Sequence, residues 1–439
     1  MPEGREAAGA AEALRARLRL ELSSRLAGRA DASGGENGGR RGLDRGGGEA
    51  ILVEAAEAHT RDVLSAGGVL VEPDVERRVI AAVLDEVFGL AGLQPLLDDP
   101  RVENINVNGA DRVFVRYADG SRERLAPVAG SDAELVELIR DLAARSGVEE
   151  RRFDRAAPGV SFALPDGSRA FAVMAVTSRP SLSIRRHRYQ RATLTDLLKA
   201  GTVDVRLQAF LTAAVAARKN ILITGGTSIG KTTLLRALAA AIPSWERLVT
   251  VEDVLELDLG TDERAHPNVV ALQAREPNIE GEGAVPAAEL VRWALRMSPD
   301  RVIVGEIRGP EVIPMCNAMS QGNDGSMATL HSSSSRGAFT KLAAYAVQGP
   351  ERLGLEATNL LVASAVDFVV HLAESTDRRR VVSSVREVVD ADGRQIVSNE
   401  VFRPYQDRRA VPASPPRTQT IEDLVAAGLD PNLTGMWRP

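Results

Sequence analysis

Gly225 and Gly230, with Lys231 and Thr232 directly after, fill the fixed places of the pattern G-x-x-x-x-G-K-[ST] in the stretch GGTSIGKT. Those residue types at that spacing make an anion cradle. Glycines let backbone N–H groups converge on phosphates, the ammonium reaches the β- and γ-phosphates, and the threonine hydroxyl takes a place on Mg²⁺. The candidate cradle is Gly225, Gly226, Thr227, Ser228, Ile229, Gly230, Lys231, Thr232 and Thr233, and the expected ligands are ATP and Mg²⁺. The chain has four lysines, Lys199, Lys219, Lys231 and Lys341, and carries the rest of its basic charge on arginine. A lysine at this place is therefore informative.

Hydrolysis needs a group that positions water. RVIVGEIRG, residues 301–309, is a short apolar run leading into Gly305-Glu306, and a carboxylate at a strand end can orient the attacking water; Glu306 is the first candidate. TVEDVLEL, residues 250–257, puts Glu252 and Asp253 after another apolar run, where they would face the same crevice and hold metal-bound water, Glu252 first; the plainer alternative is an acid capping the next turn. His331, closing SMATLH, can donate a hydrogen bond to the γ-phosphate. SIRRHRYQR, residues 183–191, gathers four arginines. Such a run is ordinarily a solvated face, but Arg185, and Arg169 in PDGSR, could neutralise transition-state charge as arginine fingers do. His59, His187, His266 and His371 share no metal-like spacing, so zinc is not supported.

These side chains need elements to hold them. Residues 220–224 read as a short buried strand and residues 232–241 as a helix, the setting the glycine loop requires. Strands at 248–251, 301–304 and 327–330 alternate with helices near 286–298, 310–320 and 335–347, as in a doubly wound parallel sheet. Residues 366–372 and 381–401 read as further strands or a hairpin. Upstream, 101–125 and 162–174 read as strand-turn-strand segments around a helix at 132–145.

The expected organisation is a flexible N-terminal arm and linker (1–48), a helical segment (49–97), an α+β domain (98–179), an interdomain linker (180–206), the nucleotide domain (207–405) and a loop-like tail (406–439). Within the arm, Leu14, Leu18, Leu22 and Leu26 have helical spacing, read as a solvated, poorly ordered helix before the glycine-rich linker at 30–48. At 439 residues the chain is long enough for two or three cores. Its net charge of −6 argues against a general nucleic-acid coat, and the single cysteine, Cys316, against a disulfide framework. With no apolar run of membrane-spanning length, membrane contact is expected only through partners.

Taken together, VENINVNGADRVFV, PDGSRAFAV, SIRR, GGTSIGKTTLLRAL, TVEDVLEL, LRMSPDRVIVGEIRG and SQGNDGSMATLHSSSS resemble, in that order, the ATPases of the type II/IV secretion superfamily, and within it the CpaF-like branch that assembles Tad pili. The resemblance runs from about Asp99 to Leu372. It implies an α/β chain with a RecA-like P-loop NTPase C-terminal domain, a smaller α+β N-terminal domain and a helical, partly disordered N-terminal arm. It further implies a cytoplasmic homohexamer, peripheral to the inner face of the cell membrane, that drives inner-membrane platform proteins; from the acidic charge balance no direct nucleic-acid contact is expected. By the same resemblance Glu252 takes the metal and water role, Glu306 the Walker B place, His331 the histidine box, and Arg185 and Arg169 reach the phosphates from the N-terminal domain. Three departures stand out: Ser228-Ile229 for Gly-Ser, SQGNDGS for TGHDGS and HSSSS for HANSS. Two other functions are open to the same residues, a nucleotide-gated scaffold with little hydrolysis and a motor for DNA transfer.

Overall fold

The computed structural model describes residues 3–32, 45–87, 91–145, 152–186 apart from 165, 192–275, 277 and 282–437. Most of the expected glycine-rich linker, and residues 187–191 of the arginine run, lie outside them. The chain divides into two compact units, Met1–Arg188 and Tyr189–Pro439.

The first unit opens with three helices, α1 (Glu3–Ala32), α2 (Arg45–Ser65) and α3 (Pro73–Val87). Leu14, Leu18 and Leu22 repeat every four residues and form one face of α1; they are buried with Leu52 and Ala56 of α2 and Val83 and Leu84 of α3. The helix follows its spacing, but Leu14, Leu18 and Leu22 are packed rather than solvated; the side chain of Leu26 lies outside those described. Burying one such side chain contributes about 1.5–3 kcal/mol, which holds a helix that would be marginal alone.

After the short α4 (Gln94–Asp98) come β1 (Val102–Asn108), β2 (Val113–Tyr117), β3 (Arg122–Leu125), α5 (Asp132–Arg145), β4 (Gly159–Ala163), β5 (Arg169–Val173) and β6 (Ser181–Arg185). The six strands form an antiparallel sheet in the order β3-β2-β1-β6-β5-β4. Alternation decides the faces. Ile105, Val107, Val113, Val115, Ala170, Ala172, Leu182 and Ile184 are buried with Leu135 and Ile139 of α5, while Phe114, Phe171 and Arg185 point to solvent. Part of the stretch expected as a linker, residues 180–206, is thus a strand between β1 and β5. The SIRR sequence has the period-2 pattern of a half-buried strand, and its arginine content had masked it.

In the second unit α6 (Leu194–Lys199) starts at a capping box between Thr193 and Asp196, and α7 (Val205–Ala216) starts at Asp204, whose carboxylate accepts from the Leu207 N–H at 2.7 Å. There follow β7 (Ile221–Gly225), α8 (Lys231–Ala239), β8 (Leu248–Glu252), β9 (Val269–Gln273), α9 (Ala287–Ala294), β10 (Arg301–Ile307), α10 (Val312–Ser320), β11 (Met327–His331), α11 (Gly337–Ala346), α12 (Leu355–Ala365), β12 (Phe368–Glu374), β13 (Arg380–Ala391), β14 (Ile396–Pro404), β15 (Ala410–Pro412) and α13 (Thr418–Ala426). One nine-stranded sheet runs β15-β14-β13-β12-β7-β11-β10-β8-β9. From β12 to β9 all neighbours are parallel, and β13, β14 and β15 extend the β12 side antiparallel.

Two apolar clusters cover the two faces, one with Ile221, Ile223, Ile303 and Met327, the other with Leu222, Val249, Val302 and Ala328. Strands buried on both faces read as continuous apolar runs, as these do. The tail expected as loop-like is packed structure. Leu424, Leu429 and Trp437 are buried, the Trp437 ring makes an edge contact with Phe210 at 6.0 Å, and its indole N–H donates to the Val401 carbonyl at 3.0 Å. Among the described residues no helix is long and apolar enough to cross a membrane.

Candidate nucleotide site

The predicted cradle, Gly225 to Thr233, takes in the last residue of β7, the loop after it and the first turn of α8. Two glycines are there for stated reasons. Gly225 has φ 155°, and a Cβ on it would fall 2.8 Å from the Leu372 carbonyl oxygen; Gly230, at φ 102°, turns the chain into α8. Ser228 also sits at positive φ, 59°, without glycine's freedom. The side chain of Ile229 lies over Gly225, in the space a Cβ there would need. Thr232 and Thr233 are half-buried in the first turn of α8.

Parallel pairing brings the rest of the site to the same end of the sheet. His331 is in register with Gly225 across β11 and β7, and β10 carries Glu306 on the far side of β11. Ligand sites of open α/β sheets form at the carboxyl ends of strands. Lys231 is 7% exposed, and its ammonium donates to the carbonyl of Gly226 at 2.9 Å and lies 3.1 Å from His331 Nδ1. His331 Nε2 is 2.6 Å from Glu306 Oε1, an approach without hydrogen-bond alignment that leaves this buried oxygen otherwise unpartnered. Glu306 Oε2 is gripped by Arg308 at 2.6 and 2.8 Å, and Arg308 continues to Asp253 Oδ2 at 2.9 Å. Lys231, His331, Glu306, Arg308 and Asp253 therefore form one chain of contacts spanning the first turn of α8, β11, the end of β10 and the turn after β8.

Glu252 stands apart from that chain. It is 4% exposed, and its Oε2 accepts the backbone N–H groups of Glu256 at 2.7 Å and Leu257 at 2.8 Å, which is the turn-capping arrangement. Burial pushes its carboxyl up to about 7, against the lowering by those two N–H groups. The buried guanidinium of Arg236, on α8, and this carboxyl act on one another electrostatically. Its other oxygen, Oε1, accepts from the Thr250 hydroxyl at a long 3.3 Å, and the carboxyl faces Gly305 across a gap that a Cβ would close to 3.0 Å; an oxygen so placed is chemistry suited to a divalent ion held partly through water. Thr232 and Glu252 thus fit Mg²⁺, whose remaining ligands would be phosphate oxygens and water.

Arg169 and Arg185 are direct cross-strand neighbours on β5 and β6 of the first unit, so the two guanidinium groups start from adjacent backbone positions on one face. Two residues escaped sequence reasoning. Arg308 follows Glu306 at the spacing that returns a side chain to the same strand face, the signal that could have found it. His371, on β12, lies under the loop with Nδ1 3.0 Å from the Thr224 hydroxyl; burial and then the Lys231 charge push its imidazole down to about 4, so it is neutral at pH 7. Nothing in its sequence context marks it.

A parallel sheet that ends in a glycine loop, a helix-borne lysine and facing carboxylates defines a P-loop nucleotide-binding domain. More specifically, the chain belongs to the type II/IV secretion system protein family, whose model matches residues 88–412. A putative conjugal transfer protein of Mycobacterium tuberculosis is 35% identical over 319 residues, covering 70% of this chain and 87% of the relative. Protein VirB11 of Agrobacterium fabrum is 31% identical over 311 residues, 63% of this chain and 87% of the relative. The solved VirB11 ATPase of the Brucella suis type IV secretion system, in complex with sulphate, is 30% identical, with a TM-score of 0.36 over 67% of this chain and 92% of that one. The three-helix module α1–α3 precedes the matched region.

Proposed function

We propose that the protein is a Mg²⁺-dependent ATPase that couples ATP hydrolysis to protein secretion or to pilus assembly of the Tad type. The observation that carries this reading is the contact chain from Lys231, at the start of α8, through His331 to Glu306 at the carboxyl ends of the neighbouring parallel strands β11 and β10. Lys231 and the loop N–H groups bind the β- and γ-phosphates. Thr232 and Glu252 hold Mg²⁺, which offsets phosphate charge. Glu306 orients the attacking water and His331 reports on the γ-phosphate. ATP arrival pulls Lys231 off the loop carbonyls and His331 with it, which frees Glu306 to take the water. Arg185 and Arg169 supply transition-state charge from the first unit. The active species is a homohexamer in the cytoplasm, at the inner face of the cell membrane, gripping inner-membrane platform proteins.

A second reading, a motor for DNA transfer, draws on the 35% identity to a putative conjugal transfer protein; the chemistry is the same and only the partner differs. The test is Mg²⁺-dependent phosphate release by wild type, Lys231→Ala and Glu306→Gln, with assembly followed by light scattering. Turnover by wild type, lost nucleotide binding in Lys231→Ala and binding without turnover in Glu306→Gln support the proposal. An assembled wild-type ring that binds ATP and releases no phosphate refutes it in favour of a scaffold.

A further inference from the structure

Three of the four lysines have an evident place. Lys231 belongs to the loop, Lys219 is tied to Asp423 at 2.7 Å, and Lys199 sits in the last turn of α6, where positive charge suits the helix dipole. Lys341 has none of these. It is exposed on α11 with its ammonium 5.1 Å from the ring centre of Tyr345, one helical turn on, and among the described residues no carboxylate pairs with it. In a chain that otherwise uses arginine, a lysine here is as uncommon as the one in the loop.

Lys341 lines an open cleft of ≈ 500 Å³ that begins at the loop residues Gly226 and Thr227, passes His331 and ends at α11. Its lining is rich in hydroxyls, from Thr227, Ser332, Ser333 and Thr340. Thr340 and Lys341 share the helix face that also presents Gly337, and a Cβ on Gly337 would reach to 3.1 Å from the Ser332 hydroxyl, so glycine keeps the floor open. The first N–H of α11 is already taken by the Ser334 hydroxyl at 2.9 Å, so the helix terminus is not the attraction. The Ser332 hydroxyl donates to the Ser334 carbonyl at 2.9 Å, so the attraction is one ammonium and the hydroxyl donors of Thr227, Ser333 and Thr340 around a space with no acid in its lining.

We propose that this cleft is a second oxyanion site, which receives inorganic phosphate after it has left the nucleotide. Lys341 supplies the charge, and the hydroxyls of Thr227, Ser333 and Thr340 the hydrogen bonds. The inference rests on the nucleotide reading above, because the cleft shares its inner end with the loop: Gly225, Gly226 and Thr227 line it, and His331, which also lines it, touches Lys231. An anion that moves past His331 passes from one lysine to the other. At about 30 Å³ per water the cleft holds more than a dozen, so the phosphate sits there hydrated and binding is weak, as a departure route needs.

The test is titration of the full chain with inorganic phosphate, with ADP and Mg²⁺ present to fill the loop, followed by calorimetry or ³¹P NMR. Wild type should bind in the millimolar range. Lys341→Met should weaken phosphate about tenfold, the loss of one charge-assisted hydrogen bond, and change ATP affinity less than twofold; Thr340→Val should weaken it less. Both side chains are exposed, so neither variant opens the core. Unchanged phosphate binding in Lys341→Met overturns the proposal. So does phosphate binding that ADP or Lys231→Ala abolishes, which puts the ion in the loop, and so does an ATP affinity that falls in step with phosphate. If the protein binds no ATP the nucleotide reading fails by itself, and the phosphate titration of Lys341→Met without nucleotide still decides whether the cleft takes the anion.

Discussion

The parallel strands of the second unit carry buried polar groups at both ends, and the two ends are built differently. At the amino ends, Arg301 is fully buried, with a two-pronged pair to Glu246 at 2.7 and 2.8 Å and a bond to the Val215 carbonyl. Next to it Asn220 has every polar atom of its side chain used: its amide donates to Met319 and Ala365, and its oxygen accepts from Gly325 and Ser326. Gly325, at φ 85°, leaves room for the Arg301 guanidinium, which a Cβ would strike at 2.4 Å. At the carboxyl ends, Glu306 Oε1 is buried beside His331 without alignment, Lys231 leans on loop carbonyls, and the buried Glu252 has its Oε1 on a long 3.3 Å bond from the Thr250 hydroxyl. A satisfied network resists change, whereas groups held by partial or exchangeable partners can be re-partnered by a ligand. The first end fixes the strands, and the second keeps its groups ready for phosphate and metal.

The largest expected effects separate the two ends. Arg301→Met strands Glu246 in the interior with only Arg218 left, and should lower stability by about 3–5 kcal/mol. Glu306→Gln should leave stability within about 0.5 kcal/mol and lower turnover by roughly 10²–10⁴-fold. Urea unfolding and phosphate release measured on both variants would break the comparison if Arg301→Met unfolds like wild type, or if Glu306→Gln loses stability instead of rate.

The carboxyl end should also show itself in the pH dependence of stability. Glu252 keeps its proton up to about pH 7 in the folded chain against an ordinary 4.5, so the folded state binds more protons between those values and stability falls as pH rises through them. His371 does the reverse. Its pKa of about 4 against an ordinary 6.5 makes stability rise with pH between those values. The two slopes oppose over most of their range. Glu252→Gln should therefore gain on wild type by on the order of 3 kcal/mol between pH 4 and pH 8, as read from the difference in unfolding free energy across that range. A constant difference would mean that Glu252 is not held protonated by burial.

How much of this was legible in the sequence follows from the kind of signal each part left. The loop, β7, β8, β10 and β11 stand at the expected places because buried parallel strands are continuous apolar runs and the glycine pattern is rigid in spacing. The strand β6 was hidden by its arginines and β9 by its half-exposed VVALQ, which no alternation or long run sets off. The packed tail was illegible because Leu424, Leu429 and Trp437 are single anchors spread over short segments, each buried by distant residues such as Phe210. The contacts of the site were the least legible part. That Arg308 grips Glu306, and that Glu252 caps a turn while Asp253 reaches Arg308, depends on side-chain direction at strand ends, which residue order does not specify.

The smallest expected effect concerns Ser228, the departure in the loop that the structure gives a physical meaning. At φ 59° a residue with a Cβ is strained by about 1–2 kcal/mol relative to glycine. Ser228→Gly removes that strain but also widens the unfolded ensemble, which takes back up to about 1 kcal/mol. The net change in stability should thus be a gain of at most about 1.5 kcal/mol, small against the effects at Arg301. Nucleotide affinity tells more than stability here. If the strain is relieved when phosphate closes the loop, wild type gains that energy on binding and Ser228→Gly should bind ATP roughly five- to thirtyfold more weakly, the equivalent of about 1–2 kcal/mol. If instead the left-handed turn persists around phosphate, affinity stays the same and only the unfolding midpoint moves. Titration of both proteins with ATP and Mg²⁺ separates these outcomes, and the first would extend the re-partnering of the carboxyl end from its side chains to the backbone of the loop.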